Sequence, residues 1–111
     1  MDVSITTQFD EELNCWNVVL SGEFDIFNAT DLKTTLTELT KEKSADLTID
    51  CAAVSFMDST ALGALVAVLK NVKTYDGKMT LENLKPSVCK LFKITNLDKV
   101  FVLAGDSDGT L

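Results

Sequence analysis

The sequence predicts an α/β domain: a mixed sheet of four or five strands, opened by an antiparallel hairpin, with helices packed mainly on one face. Three observations carry that prediction. Two β-rich runs flank the acidic connection Asp10-Glu11-Glu12, which is the layout of a hairpin. Beyond it, strand-like runs alternate with segments whose apolar residues recur at helical spacing, the pattern of parallel strands joined by helical crossovers. The clearest such unit is residues 46–71, DLTIDCAAVSFMDSTALGALVAVLKN, an apolar strand that passes through a tight turn into a helix.

Residues 3–9, VSITTQF, alternate apolar and polar side chains and are rich in β-branched residues, and residues 16–20 form a second β-rich run. The acidic link between them reads as a solvated turn. In Ser21-Gly22-Glu23-Phe24-Asp25, Gly22 is placed to release the strand into a turn, and Asp25 or Asn28 to cap the next helix. That helix is predicted over 29–41, with Leu32, Leu36 and Leu39 as its stripe and Lys33, Thr34, Glu38 and Lys41 facing water. The following strand is more continuously apolar through Leu47, Ile49, Val54 and Phe56, as a central strand requires. A helix is expected to begin at or beside Ser59. Leu62, Leu65, Val66 and Leu69 form its stripe, while Ala61, Gly63, Ala64 and Ala67 keep the rest of its surface small.

Tyr75-Asp76-Gly77-Lys78 reads as a turn before a short strand at 79–82. Pro86 suits the first turn of a third helix with Val88, Leu91 and Phe92 buried, and Asn96 can stop it in the left-handed conformation. A last strand is predicted at 100–103. Residues 1–104 are read as one domain, with 105–111 as a polar tail whose Asp106-Ser107-Asp108-Gly109 lacks the remaining ligands of a calcium loop.

Composition removes many functions. The chain carries 17 Asp and Glu against 10 basic residues, a formal charge of −7. That balance argues against nucleic acid and anionic membrane as partners and favours a basic one. Every basic residue is Lys. With no Arg and no His, bidentate guanidinium recognition and imidazole acid–base or metal chemistry are absent from the chain. Cys15, Cys51 and Cys89 lie far apart without a C-x-x-C, the pattern of reduced structural thiols. No basic leader precedes an apolar run at the N-terminus, and no apolar run reaches the ~18 residues of a membrane span. A cytoplasmic protein is expected.

The chemistry concentrates at Asp58-Ser59. Asp and Ser are both strong helix caps, and each can satisfy a free amide of the first turn. A nucleophilic serine is disfavoured, because the G-x-S-x-G elbow is missing and no His is present as its base. A phosphate loop is disfavoured too, since no Gly-rich run ends in Lys-Ser/Thr. Neither a catalytic residue nor a metal site nor a bound cofactor is predicted.

The passage VSFMDSTALGALV resembles the signature segment of STAS domains, in particular of the small bacterial anti-sigma factor antagonists. Three further matches follow the family's order: Gly22-Glu23-Phe24-Asp25, Lys78-Met79-Thr80-Leu81, and the helical stretch from Pro86 to Leu97. The resemblance implies that Ser59, with Thr60 as its neighbour, is the phosphorylation site. It implies as partners an anti-sigma factor with Ser kinase activity and a Ser phosphatase. The unmodified form would bind the anti-sigma factor and free sigma; the phosphorylated form would not. Asp25, Asp58, Ser59 and Thr60 are the expected partner-binding residues, with Asp58 positioning Ser59 or contributing to the geometry of a kinase-bound metal, and the protein is expected to be a monomer or weak dimer. Ser59 is expected to serve as both helix cap and switch. Two positions depart from the family: Ala61 and Asn96 stand where many members have Gly. Two rival readings remain, a STAS subunit of a stressosome-like or lipid-transport assembly without a phosphorylation switch, and a small nucleotide-binding domain or enzyme using Asp25 and Asp58.

Overall fold

The computed structural model describes residues 3–104, so the predicted tail at 105–111 lies outside the described residues. Strands β1 (Ser4–Asp10) and β2 (Cys15–Phe24) form the predicted antiparallel hairpin, with Phe9 opposite Trp16 and Ile5 opposite Leu20. Asn14 closes its turn with a positive φ of 50°, a conformation that Asn tolerates better than most residues. The hairpin is anchored at one end by aromatic contacts. Phe9 meets Trp16 edge-on at 4.9 Å, the Trp16 indole donates to the Lys43 carbonyl oxygen at 3.1 Å, and the Lys43 ammonium sits 4.2 Å over the Phe9 ring.

From β2 the chain winds in one direction. Helix α1 (Ala29–Glu42) leads to β3 (Asp46–Met57), α2 (Ser59–Lys73) to β4 (Met79–Glu82), and α3 (Pro86–Ile94) with a short 3₁₀ turn (Leu97–Lys99) to β5 (Val102–Ala104). The sheet order is β1-β2-β3-β4-β5, antiparallel at β1-β2 and parallel elsewhere. Successive right-handed crossovers that all step the same way place their helices on one face. The burial pattern agrees: Trp16, Val18, Leu20, Leu47, Ile49, Met79 and Leu81 share one core cluster with Leu32, Leu36, Leu62, Leu65, Val88 and Phe92. On the opposite face Asn17, Val19 and Val102 are exposed and Thr48, Asp50, Thr80 and Glu82 half-buried.

Helices α1 and α2 pack side by side. Thr40 is the buried polar residue of that contact; its hydroxyl donates to the Thr37 carbonyl oxygen at 2.7 Å and accepts from the Asn71 amide. The fully buried phenyl ring of Phe92 meets Phe101 edge-on at 5.6 Å, which ties α3 to the approach to β5. Among the described residues no helix is long and apolar enough to cross a membrane.

Four local expectations are corrected. Gly22 does not end β2; it lies inside the strand at φ 106°, facing a stretch of β3 that carries one extra residue opposite Val19/Ser21 and another opposite Gly22/Glu23. Those extra residues change which side chains of β3 face inward, so Val54 and Met57 are buried while Phe56 is 48% exposed. Cys89 joins Val88 and Phe92 in the buried stripe of α3, and Leu91 is half-buried. Val100 precedes β5 and is exposed, because the 3₁₀ turn occupies the residues just before it. Asn96 does adopt the left-handed conformation, at φ 61° and ψ 17°.

Candidate functional site

Strands β2 and β3 end together, with Phe24 paired to Met57. The next residue on each strand is acidic. Asp58 donates its backbone N–H to the Phe24 carbonyl oxygen at 3.1 Å, so Asp25 and Asp58 are brought to the same C-terminal end of the sheet. In open α/β sheets that end, outside the strand termini, is where ligands bind.

Asp58 has the extended backbone of an N-cap, φ −100° and ψ −179°, and its Oδ1 accepts from the Ala61 N–H at 2.9 Å. Its carbonyl oxygen accepts from the Leu62 N–H at 3.1 Å, closing the first helical turn. The cap is therefore Asp58, and the expectation that Ser59 fills that role is corrected. Ser59 is the first residue of α2, and both it and Thr60 are exposed. The physical reason is reach: a carboxylate one residue earlier spans to the third amide of the helix, which is the cap geometry. Ala61 is buried within the first turn in helical conformation, and a helix needs no glycine there.

Asp25 does not cap α1 either. Asn28 stands at that position without a side-chain cap bond to the helix. The two residues instead bind the loop into one conformation. Asp25 Oδ1 accepts from the Phe27 N–H at 2.9 Å, Asn28 Oδ1 accepts from the Asp25 N–H at 2.9 Å, and Asn28 Nδ2 donates to the Glu23 carbonyl oxygen at 2.8 Å. The Asp25 carbonyl oxygen also accepts from the N–H groups of Asn28 and Ala29. Between these fixed points stand Ile26 and Phe27, 65% and 92% exposed.

Thr60 belongs to a shallow groove between the N-terminal halves of α1 and α2, where Ala29 and Lys33 face Gly63, Ala64 and Ala67. The small residues of α2 thus line the crease with α1. The structure brings Asp25, Asp58, Ser59 and Thr60 to one end of the molecule. Sequence reasoning missed Ile26, Phe27 and Phe56 as surface residues. The available signal was an apolar pair inside a polar turn, between Asp25 and Asn28.

A family model described as "STAS domain" matches residues 6–108. The chain belongs to the STAS domain family. It is 37% identical over 109 residues to an anti-sigma-B factor antagonist of Bacillus subtilis (strain 168), covering 98% of this chain and 97% of that one. An anti-sigma factor antagonist of Mycobacterium paratuberculosis superposes with a TM-score of 0.77 at 29% identity, over 95% of this chain and 89% of the other. The Bacillus cell fate determinant SpoIIAA shares the fold in two solved forms. Its unphosphorylated form gives a TM-score of 0.72 at 16% identity over 94% of this chain and 89% of the other. Its phosphorylated form gives 0.68 at 18% identity over 95% of each. This STAS chain thus combines an acidic sheet end with an exposed serine on the first turn of a capped helix.

Proposed function

We propose that this protein is a cytoplasmic anti-sigma factor antagonist whose binding is switched off by phosphorylation of Ser59. Unmodified, it binds an anti-sigma factor that is also a Ser kinase and so releases a sigma factor; a Ser phosphatase restores the binding form. The protein is a binding module and a substrate of these enzymes. The observation that carries the proposal is the division of labour at the start of α2: Asp58 holds the cap, which leaves the exposed Ser59 hydroxyl without a structural duty among the described residues.

A phosphate on Ser59 adds about −1.5 to −2 charges beside Asp58. The first-turn amides of a helix lack intrahelical acceptors and carry the positive end of the dipole, so α2 tolerates the new charge. A partner surface shaped for a neutral hydroxyl does not. An unpaired charge trapped in an interface costs several kcal/mol, and each ~1.4 kcal/mol is tenfold in affinity. Charge and bulk at one residue are therefore enough to switch binding without refolding the domain.

The test is incubation with the cognate anti-sigma kinase, magnesium and ATP, followed by peptide mapping. One phosphate on Ser59 and none on Ser59→Ala is expected. Label persisting at another residue in Ser59→Ala would refute the site.

A further inference from the structure

We infer that Ile26 and Phe27 are the apolar anchor by which this protein grips its anti-sigma partner, in an apolar socket bordered by basic side chains. The inference rests on the proposed function and adds the chemistry of the surface that meets Ser59. Phe27 is 92% exposed and Ile26 65% exposed, on a loop of four residues. Exposed apolar residues scattered singly need no explanation, but two in succession on a rigid turn do. The turn is held by the side-chain bonds of Asp25 and Asn28 to the backbone, so little conformational freedom remains to be lost on binding. A preorganised aromatic side chain that enters a partner pocket is the usual form of an interface hot spot.

Position and charge choose the occupant. The loop follows Phe24, whose carbonyl oxygen accepts the Asp58 N–H, so the anchor is continuous with the Ser59 surface. Glu23, Asp25 and Asp58 accompany it, while Lys33 lies beyond the loop in the groove beside Thr60. At the same end of the sheet Lys85 is engaged with the Ala52 carbonyl oxygen. A second copy of this chain would set these carboxylates against their own kind, which costs free energy. A partner with basic groups around an apolar pocket meets both features at once.

The test titrates the cognate anti-sigma factor with wild type, Phe27→Ala, Ile26→Ala and Leu13→Ala by calorimetry, with thermal unfolding of each variant alongside. Leu13 is a matched control, 73% exposed in the hairpin turn at the opposite end of β2. Phe27→Ala is expected to weaken binding about 30-fold or more and Ile26→Ala less, with unfolding temperatures unchanged and Leu13→Ala binding like wild type. Binding by Phe27→Ala equal to wild type would overturn the anchor while leaving the proposed function intact. A wild type that fails to bind the anti-sigma factor would overturn the proposed function itself. A wild-type dimer in sedimentation that Phe27→Ala converts to monomer would assign the loop to self-association and overturn the anchor.

Discussion

At the scale of single residues, the separation of the Asp58 cap from the proposed switch at Ser59 has a measurable consequence. Asp58→Ala should cost about 1 kcal/mol in urea unfolding, the value of a lost helix cap, whereas Ser59→Ala should stay within about 0.5 kcal/mol. The reverse order would return the cap to Ser59. Sequence reasoning could locate this site because Asp, Ser and the apolar strand before them are adjacent in the chain. It could not separate the two roles, since either residue type fits a cap and only backbone dihedrals decide which one holds it. Cys51 offers a second residue-scale test. Burial, helped by the nearby charges of Asp50 and Glu82, pushes its thiol up to about 12 from 9.0. Burial also raises the Tyr75 hydroxyl. Both groups are therefore held protonated by folding, so their contribution is intact below the unfolded-state value and is lost as pH rises toward the folded one. Stability should fall between pH 9 and 11, and Cys51→Ala, though less stable at pH 7, should show a shallower fall in urea midpoint over that interval.

At the scale of elements, the hairpin, the order of strands and helices, the Pro86 start of α3 and the left-handed Asn96 were all legible, because each follows from local pattern or from a residue with a narrow conformational preference. The exposure of Phe56 was not. Bulges at Val19/Ser21 and Gly22/Glu23 shift the phase between β2 and β3, and an extra residue in one strand leaves no mark in hydropathy. Turns give the sharpest element-scale predictions. A Cβ at Gly77 would lie 2.7 Å from Tyr75 Cε1 and 2.9 Å from Val72 Cγ1, and the Tyr75 hydroxyl donates to the Ala45 carbonyl oxygen at 2.8 Å. Gly77→Ala should thus cost about 1–3 kcal/mol by overpacking the turn between α2 and β4. Asn96→Ala should cost about 1–2 kcal/mol, because an alanine pays the left-handed penalty in full, while Asn96→Gly should be neutral or slightly stabilising. Equal urea midpoints for the Ala and Gly variants would contradict that account.

At the scale of the whole molecule, the fold assembles one sheet end from parts distant in sequence. The loop after β2 contributes Asp25, Ile26 and Phe27, and the turn after β3 contributes Asp58 and Ser59; parallel pairing of β2 with β3 brings them level. The formal charge of −7 should make association with a basic partner fall about tenfold in rate between low and high salt, with dissociation changing less. The most direct measurement is the affinity of the cognate anti-sigma factor for this protein before and after stoichiometric phosphorylation of Ser59, read with the unfolding temperature of both forms. A loss of about 100-fold or more with the unfolding temperature nearly unchanged is predicted. Equal affinity of the two forms, or a loss that appears only together with unfolding, would contradict a switch that works by excluding charge from an intact surface.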